Sequence, residues 1–184
     1  MPQYTRAFYP GGTYFFTLVT YDRRQFLTTP LARRCLRSAW REAAVKWPFY
    51  LHALCLLPDH LHCILTLPEQ DSNYSLRWRR IKGIFTRLYR LEGDIEEIPQ
   101  SLSRVKRGEM PVWQRRFWEH VIRDDEDLRR HVEYIHYNPV KHGYAKHAID
   151  YPWSTFRRYV QKGLYDCDWG GNEDDLSVVG SACE

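Results

Sequence analysis

The sequence predicts an α+β fold: a ferredoxin-like four-stranded antiparallel sheet with helices on one face, plus a C-terminal extension. Three observations carry that expectation. Apolar, β-branched runs and helical periodicities follow one another in the order β-α-β-β-α-β-α, the plan of that fold. Two of the apolar runs are separated only by Pro58-Asp59, which marks a hairpin. With 184 residues the chain suits one domain with an appendage, placed here at 1–165 with a tail at 166–184.

The elements follow in order. Residues 13–20 are aromatic and β-branched after Gly11-Gly12 and read as a strand. From Leu31 to Trp47, Leu31, Leu36, Ala39, Trp40 and Ala43 recur at helical spacing with arginines between them, and Pro48 stops the helix. The runs 49–57 and 60–67 form the hairpin. A second helix spans Asn73 to Leu91, with Leu76, Ile81, Ile84, Phe85 and Leu88 available to a core. Residues 92–111 mix acids, Gly, Pro and bases and read as a loop; Phe117 to Ile122 reads as a short strand. Four acids from Asp124 to Asp127 suit the N-terminus of a third helix. Asn138-Pro139 is expected to close it, because proline disfavours helix at the residue before it.

Composition narrows the function classes. Hydrophobic content of 43% and aromatic content of 15% exclude a disordered chain. No apolar run approaches the ~18–20 residues of a membrane helix, and the first residues lack a signal peptide's apolar core. A cytoplasmic protein with no membrane partner is expected. Five scattered cysteines form neither a Cys-x-x-Cys pair nor a disulfide framework. The net charge of +4 is unevenly divided. From Asp166 onward there are six acids and no base, so the remainder holds 27 basic against 17 acidic residues, a balance of +10. Of the 27, 21 are Arg, whose planar fork suits phosphate. A codon bias toward Arg gives the same count. The acidic tail either lies over the basic surface and competes with a polyanion or simply solubilises the chain.

Two constellations carry chemistry. In His60-Leu61-His62, side chains at i and i+2 of a strand project from one face, so the imidazoles point together. Such a pair either decorates a solvated strand face or ligates a divalent cation. Its place between apolar runs favours the cation, and a third oxygen ligand leaving open positions suits a catalytic ion better than a zinc finger. The second constellation is His131 to Gly143. On a helix Tyr134 and Asn138 share a face, so Asn138 can offer an amide oxygen to a metal while Tyr134 presents its hydroxyl. Core packing is the ordinary alternative for a helical tyrosine, and Tyr137 is the rival nucleophile.

Three segments together resemble the REP-associated tyrosine transposases, single-tyrosine relatives within the His-hydrophobic-His endonuclease superfamily. They are Leu57-Pro58-Asp59-His60-Leu61-His62, the run Trp113-Gln114-Arg115-Arg116-Phe117-Trp118-Glu119-His120, and His131 through Gly143. Gly11 to Thr17 and Trp153 to Phe156 also match, so the resemblance spans about residues 4–170.

The resemblance implies a single-stranded DNA nickase and strand-transferase acting at REP hairpins. Carried over by position, His60, His62 and Asn138 hold Mg²⁺ or Mn²⁺, and Tyr134 attacks phosphorus to give a 5′-phosphotyrosine. His131, His136 and water are the candidates for the base. For DNA binding, Arg77, Arg79, Arg80, Lys82 and Arg87 form a basic helix interleaved with Trp78, with Arg115, Arg116 and Trp118 as a second cluster. Lys141 and His142 complete the set, and Gly11 and Gly12 are expected to let backbone approach the nucleotides beside the hairpin. Single-stranded DNA and DNA hairpins are the expected partners, with no obligate protein partner. A hairpin-binding protein that does not cut is the alternative.

Overall fold

The computed structural model describes residues 8–93 and 99–170. Its elements are β1 (Thr13–Val19), α1 (Pro30–Lys46), β2 (Tyr50–Leu56), β3 (His60–Thr66), α2 (Tyr74–Glu92), α3 (Leu102–Lys106), β4 (Trp118–Val121), α4 (Asp125–Lys141) and α5 (Phe156–Gln161). The four strands form one antiparallel sheet in the order β2-β3-β1-β4, the ferredoxin-like arrangement. Short α3 lies within the stretch read as loop.

Side-chain alternation divides the sheet into two covered faces. Tyr14, Phe16 and Leu18 of β1 and Leu61, Cys63 and Leu65 of β3 join the apolar sides of α1 and α2 in one core. The other parity, Phe15, Ala53, Cys55 and Ile64, packs with Val132, Tyr134 and Ile135 of α4 in a second core. The two crossover helices α1 and α2 therefore share one face. The expectation of helices on one face holds for α1 and α2 and is corrected for α4, which covers the opposite side because alternate residues of these strands are apolar too. His60 and His62 have the parity of Ile64, so this second layer decides what they meet.

Local chemistry fixes the helix starts. Thr29 Oγ1 accepts from Ala32 N ahead of Pro30, Asn73 Oδ1 from Leu76 N, and Asp124 Oδ1 from Asp127 N. The end of α4 differs from expectation. Pro139 lies inside the helix, which runs on to Lys141. Proline removes one late hydrogen bond, but His142 N still donates to Asn138 O and Tyr144 N to Pro139 O. Gly143, at φ +70°, provides the stop. Lys141 thereby stays one helical turn from Tyr137 and two from Tyr134.

The segment after α4 returns to the sheet. Leu56 N donates to Trp153 O and Thr155 N to Leu54 O, covering the open edge of β2. Trp169 stacks on Phe156 and lies tilted against Tyr165, so residues just past the boundary drawn at 165 pack on the same body. The rest of the acidic tail, 171–184, lies outside the described residues.

Candidate active site

A cleft of about 310 Å³ opens between the sheet and the C-terminal half of α4, lined by Thr17, Arg23, His60, His62, Trp118, Tyr134, Lys141 and His142 among others. The histidines come from β3, Tyr134 from α4. The rings of His62 and Tyr134 meet edge to face with centroids 5.3 Å apart. His60 lies 4.8 Å from His62 and 5.5 Å from His142. Phe15 of β1 is the floor, touching His62, Trp118 and Tyr134. Sequence reasoning missed Phe15, which only looks like one more apolar strand residue.

Each imidazole is oriented by its Nδ1. Buried Asp59 accepts from His60 Nδ1 at 2.5 Å and is itself held by Arg23 at 3.1 Å. Thr17 Oγ1 lies 2.8 Å from His62 Nδ1. Burial, reinforced by the neighbouring side chains of His60, His142, Lys141 and Arg23, holds the His62 pKa well below its ordinary value, so the ring is neutral at physiological pH. Among the described residues, His62 Nε2 is buried with no hydrogen-bond partner, as are Oδ1 and Nδ2 of Asn138. Orphaned polar atoms of this kind are costly. Imidazoles whose Nδ1 is held by a carboxylate or a hydroxyl, with Nε2 left over, are the usual form of metal-ligating histidines, so the residues present fit a divalent cation. Asn138 sits one turn beyond Tyr134 on α4 and is fully buried.

The remaining tyrosine and histidines separate clearly. Tyr137 turns to the C-terminal segment, where it meets Trp169 and Gly170. His136 is buried against Phe156, Tyr159 and Tyr165, with Nε2 at 2.9 Å from Thr155 Oγ1, and does not line the cleft. His131 belongs to a second cluster that went unnoticed in the sequence. Asp127 Oδ2 accepts from His120 Nε2 at 2.9 Å, Asp127 Oδ1 lies 3.0 Å from His131 Nδ1, and the two imidazoles stack at 4.5 Å. Among the described residues these three form a group with metal-ligand spacing. The rings are nearly parallel, however, so a cation in the plane of one lies outside the plane of the other. His131 Nδ1 also bonds the Asp127 carbonyl at 2.8 Å. The cluster as placed is a hydrogen-bonded tether of α4 to β4.

The expected DNA-binding residues divide by burial. Arg77 is fully buried, donating to Pro48 O, Asn73 O and the Asp71 carboxylate, and Trp78 is a core residue against Phe16 and Trp40. Both are corrections: Trp78 faces the sheet, and Arg77 braces the turn before the helix. Arg79, Arg80, Arg87, Arg115, Arg116, Lys141 and His142 are exposed, and Trp118 is 42% exposed beside the cleft. Lys82 Nζ donates to the Gln114 carbonyl at 2.5 Å. Gly11 takes φ +69° with its N–H bonded to Pro68 O and Asp71 O, and a Cβ on Gly12 would strike the Tyr14 ring at 2.8 Å. Internal packing thus accounts for both glycines.

A helix-borne tyrosine facing a histidine pair on a ferredoxin-like sheet defines the class, and residues 10–138 match the family model described as Transposase IS200 like. The chain is 45% identical to a Haemophilus influenzae relative over 98% of this chain and 99% of that one. It is 44% identical to the REP-associated tyrosine transposase of Escherichia coli K12, covering 97% and 96%. A solved REP-associated tyrosine transposase bound to a REP hairpin matches 100% of both chains at 42% identity with a TM-score of 0.76. The chain belongs to the REP-associated tyrosine transposases, enzymes of the IS200-like transposase family.

Proposed function

We propose that this chain cuts single-stranded DNA beside a REP hairpin and transfers the strand through a covalent link to Tyr134. The observation that carries this reading is the shared cleft: Tyr134 faces His62 while Tyr137 faces away. In the step, Tyr134 Oη forms a bond to phosphorus and the P–O3′ bond breaks. The 5′ end stays on the enzyme as a phosphotyrosine, the 3′ oxygen leaves as a hydroxyl after gaining a proton, and the tyrosyl proton passes to solvent. The phosphodiester energy is conserved, so rejoining needs no ATP.

His60, His62 and Asn138 are the residues that would hold Mg²⁺ or Mn²⁺, which supplies Lewis-acid polarisation of a phosphate oxygen. The chain's own groups do the rest. Lys141 Nζ, 5.6 Å from the Tyr134 ring centroid, favours the negative charge that develops on the phenol oxygen as it attacks. Exposed Trp118 offers a ring face to a base next to the scissile phosphate. The exposed arginines Arg79, Arg80, Arg115 and Arg116 suit the phosphates of a hairpin stem.

The test is incubation of the protein with Mn²⁺ and an end-labelled REP hairpin carrying a single-stranded flank. A denaturation-resistant adduct is expected, and excess EDTA should abolish it. Tight binding with no adduct at any metal concentration would instead make this a non-cleaving hairpin-binding protein.

A further inference from the structure

The opposite side of the molecule carries a groove that the reaction does not use. It lies between α1 and the covered edge of β2 and has a volume of about 410 Å³. Its floor is apolar, built from Leu51, Leu54 and the rings of Trp40 and Trp153; its rim is Arg33, Arg37 and Arg41; no acid lines it. The leucines and Trp40 pack against the α1–α2 core, so the groove and the Tyr134 cleft are on opposite faces of the sheet.

The arginines are set for a ligand rather than for the fold. At positions i, i+4 and i+8 they form one row along α1, spanning about 12 Å at 1.5 Å per residue. Arg33 is pinned by two contacts, its guanidinium 3.6 Å over the Trp153 ring and its Nε donating to Thr28 O. Arg37 and Arg41 are exposed and have neither an ion pair nor a hydrogen-bonded partner among the described residues. Three like charges in a row repel one another in the absence of anions. A row of about 12 Å matches roughly three or four stacked nucleotides at 3.4 Å each.

We propose that this groove is a second binding site for unpaired DNA, taking a segment of single strand outside the part held at Tyr134. Arg33, Arg37 and Arg41 hold its phosphates, and bases lie on the apolar floor beside Trp153. Forked cations along one side and aromatic rings on the other are what a single strand needs, whereas a duplex buries its base faces and gains only the charge term. The biological sense of the site rests on the strand-processing function proposed above, but its occupancy can be measured without cleavage.

The experiment uses the full chain with Arg37→Glu and Arg41→Glu together, and Lys146→Glu with Lys162→Glu as a charge-matched control. Affinity for fluorescent oligothymidine and for a blunt hairpin is read by anisotropy across a salt series. The groove variant should lose about tenfold or more for oligothymidine, with the salt slope smaller by about 1.4. The blunt hairpin and the control variant should change by no more than about twofold. A 5-iodouracil oligonucleotide should crosslink to peptides containing Trp153 or Trp40. Unchanged oligothymidine affinity, or an equal loss in the control, overturns the site. So does a wild-type dimer that the groove variant dissolves in sedimentation, which would make the groove a self-contact. Covalent adduct formation on a short hairpin, scored in parallel, reports the Tyr134 reading separately, since the groove variant should retain it.

Discussion

His62 and Tyr134 pack edge to face with ring centroids 5.3 Å apart, one projecting from the sheet and the other from the helix laid across it. The contact requires α4 to lie on the sheet face opposite α1 and α2. It makes Tyr134, rather than Tyr137, the residue whose hydroxyl shares a cleft with the histidine pair. Tyr134→Phe should therefore abolish covalent adducts and leave hairpin affinity within about twofold, because the ring packing on Phe15 survives. Tyr137→Phe should still form the adduct. Gel detection of the phosphotyrosine product distinguishes the two, and an adduct retained by Tyr134→Phe would refute the assignment.

Asp59 orients His60 through Nδ1. Replacing it by Asn keeps the shape and removes the charge, and the amide can present either end to the ring. Outer-shell changes of this kind typically cost 10–100-fold in metal affinity. Asp59→Asn should raise the Mn²⁺ concentration for half-maximal cleavage by about that factor, with much of the rate recovered at saturation. A metal titration of cleavage tests it; an unchanged midpoint would count against the role.

Arg77 and its neighbour Arg79 should behave oppositely. Arg77→Ala removes a buried side chain that satisfies two backbone carbonyls and the half-exposed Asp71 carboxylate, and should destabilise the fold by roughly 1–3 kcal/mol, seen as a lower urea midpoint. Arg79→Ala should leave stability within about 0.5 kcal/mol and weaken hairpin binding, with a shallower salt slope. Urea melts and anisotropy on both variants decide the matter.

His136 supplies a pH dependence. Its burial lowers its pKa to about 3, against about 6.5 in an unfolded chain. The folded state keeps this ring neutral while the unfolded state takes up a proton, so stability is full above about pH 6.5 and is lost as pH falls toward 3. The slope approaches roughly 1.4 kcal/mol per pH unit for this one group. Denaturant melts at pH 7 and pH 5 should differ in that sense, with His62 contributing in the same direction, and His136→Gln should shrink the difference by its own share. An equal pH dependence in the variant would remove His136 as its source.

Much of the fold was legible because periodicity is local. The aromatic and β-branched run around Phe15, the apolar stripe of Ile81 and Phe85, and the acid-rich helix start at Asp124 to Asp127 each follow from a few neighbouring residues, and all appear in the structure. The end of α4 was misread for the same reason: Pro139 looks like a stop when judged locally, while Gly143 and the returning chain set the actual terminus.

By itself the sequence determined the element order, the two-residue spacing that aims His60 and His62 together, and the four-residue spacing that sets Tyr134 above Asn138. Only the tertiary structure decided which helix faces those histidines and which tyrosine enters the cleft. It also decided which basic residues of α2 reach solvent. Arg77 and Arg79 are indistinguishable in a charge pattern, yet one is fully buried on three acceptors and the other is exposed. The physical reason is that spacing specifies direction relative to an element's own axis. What lies in that direction depends on how the layers stack, and stacking is settled by apolar surface gathered from distant parts of the chain.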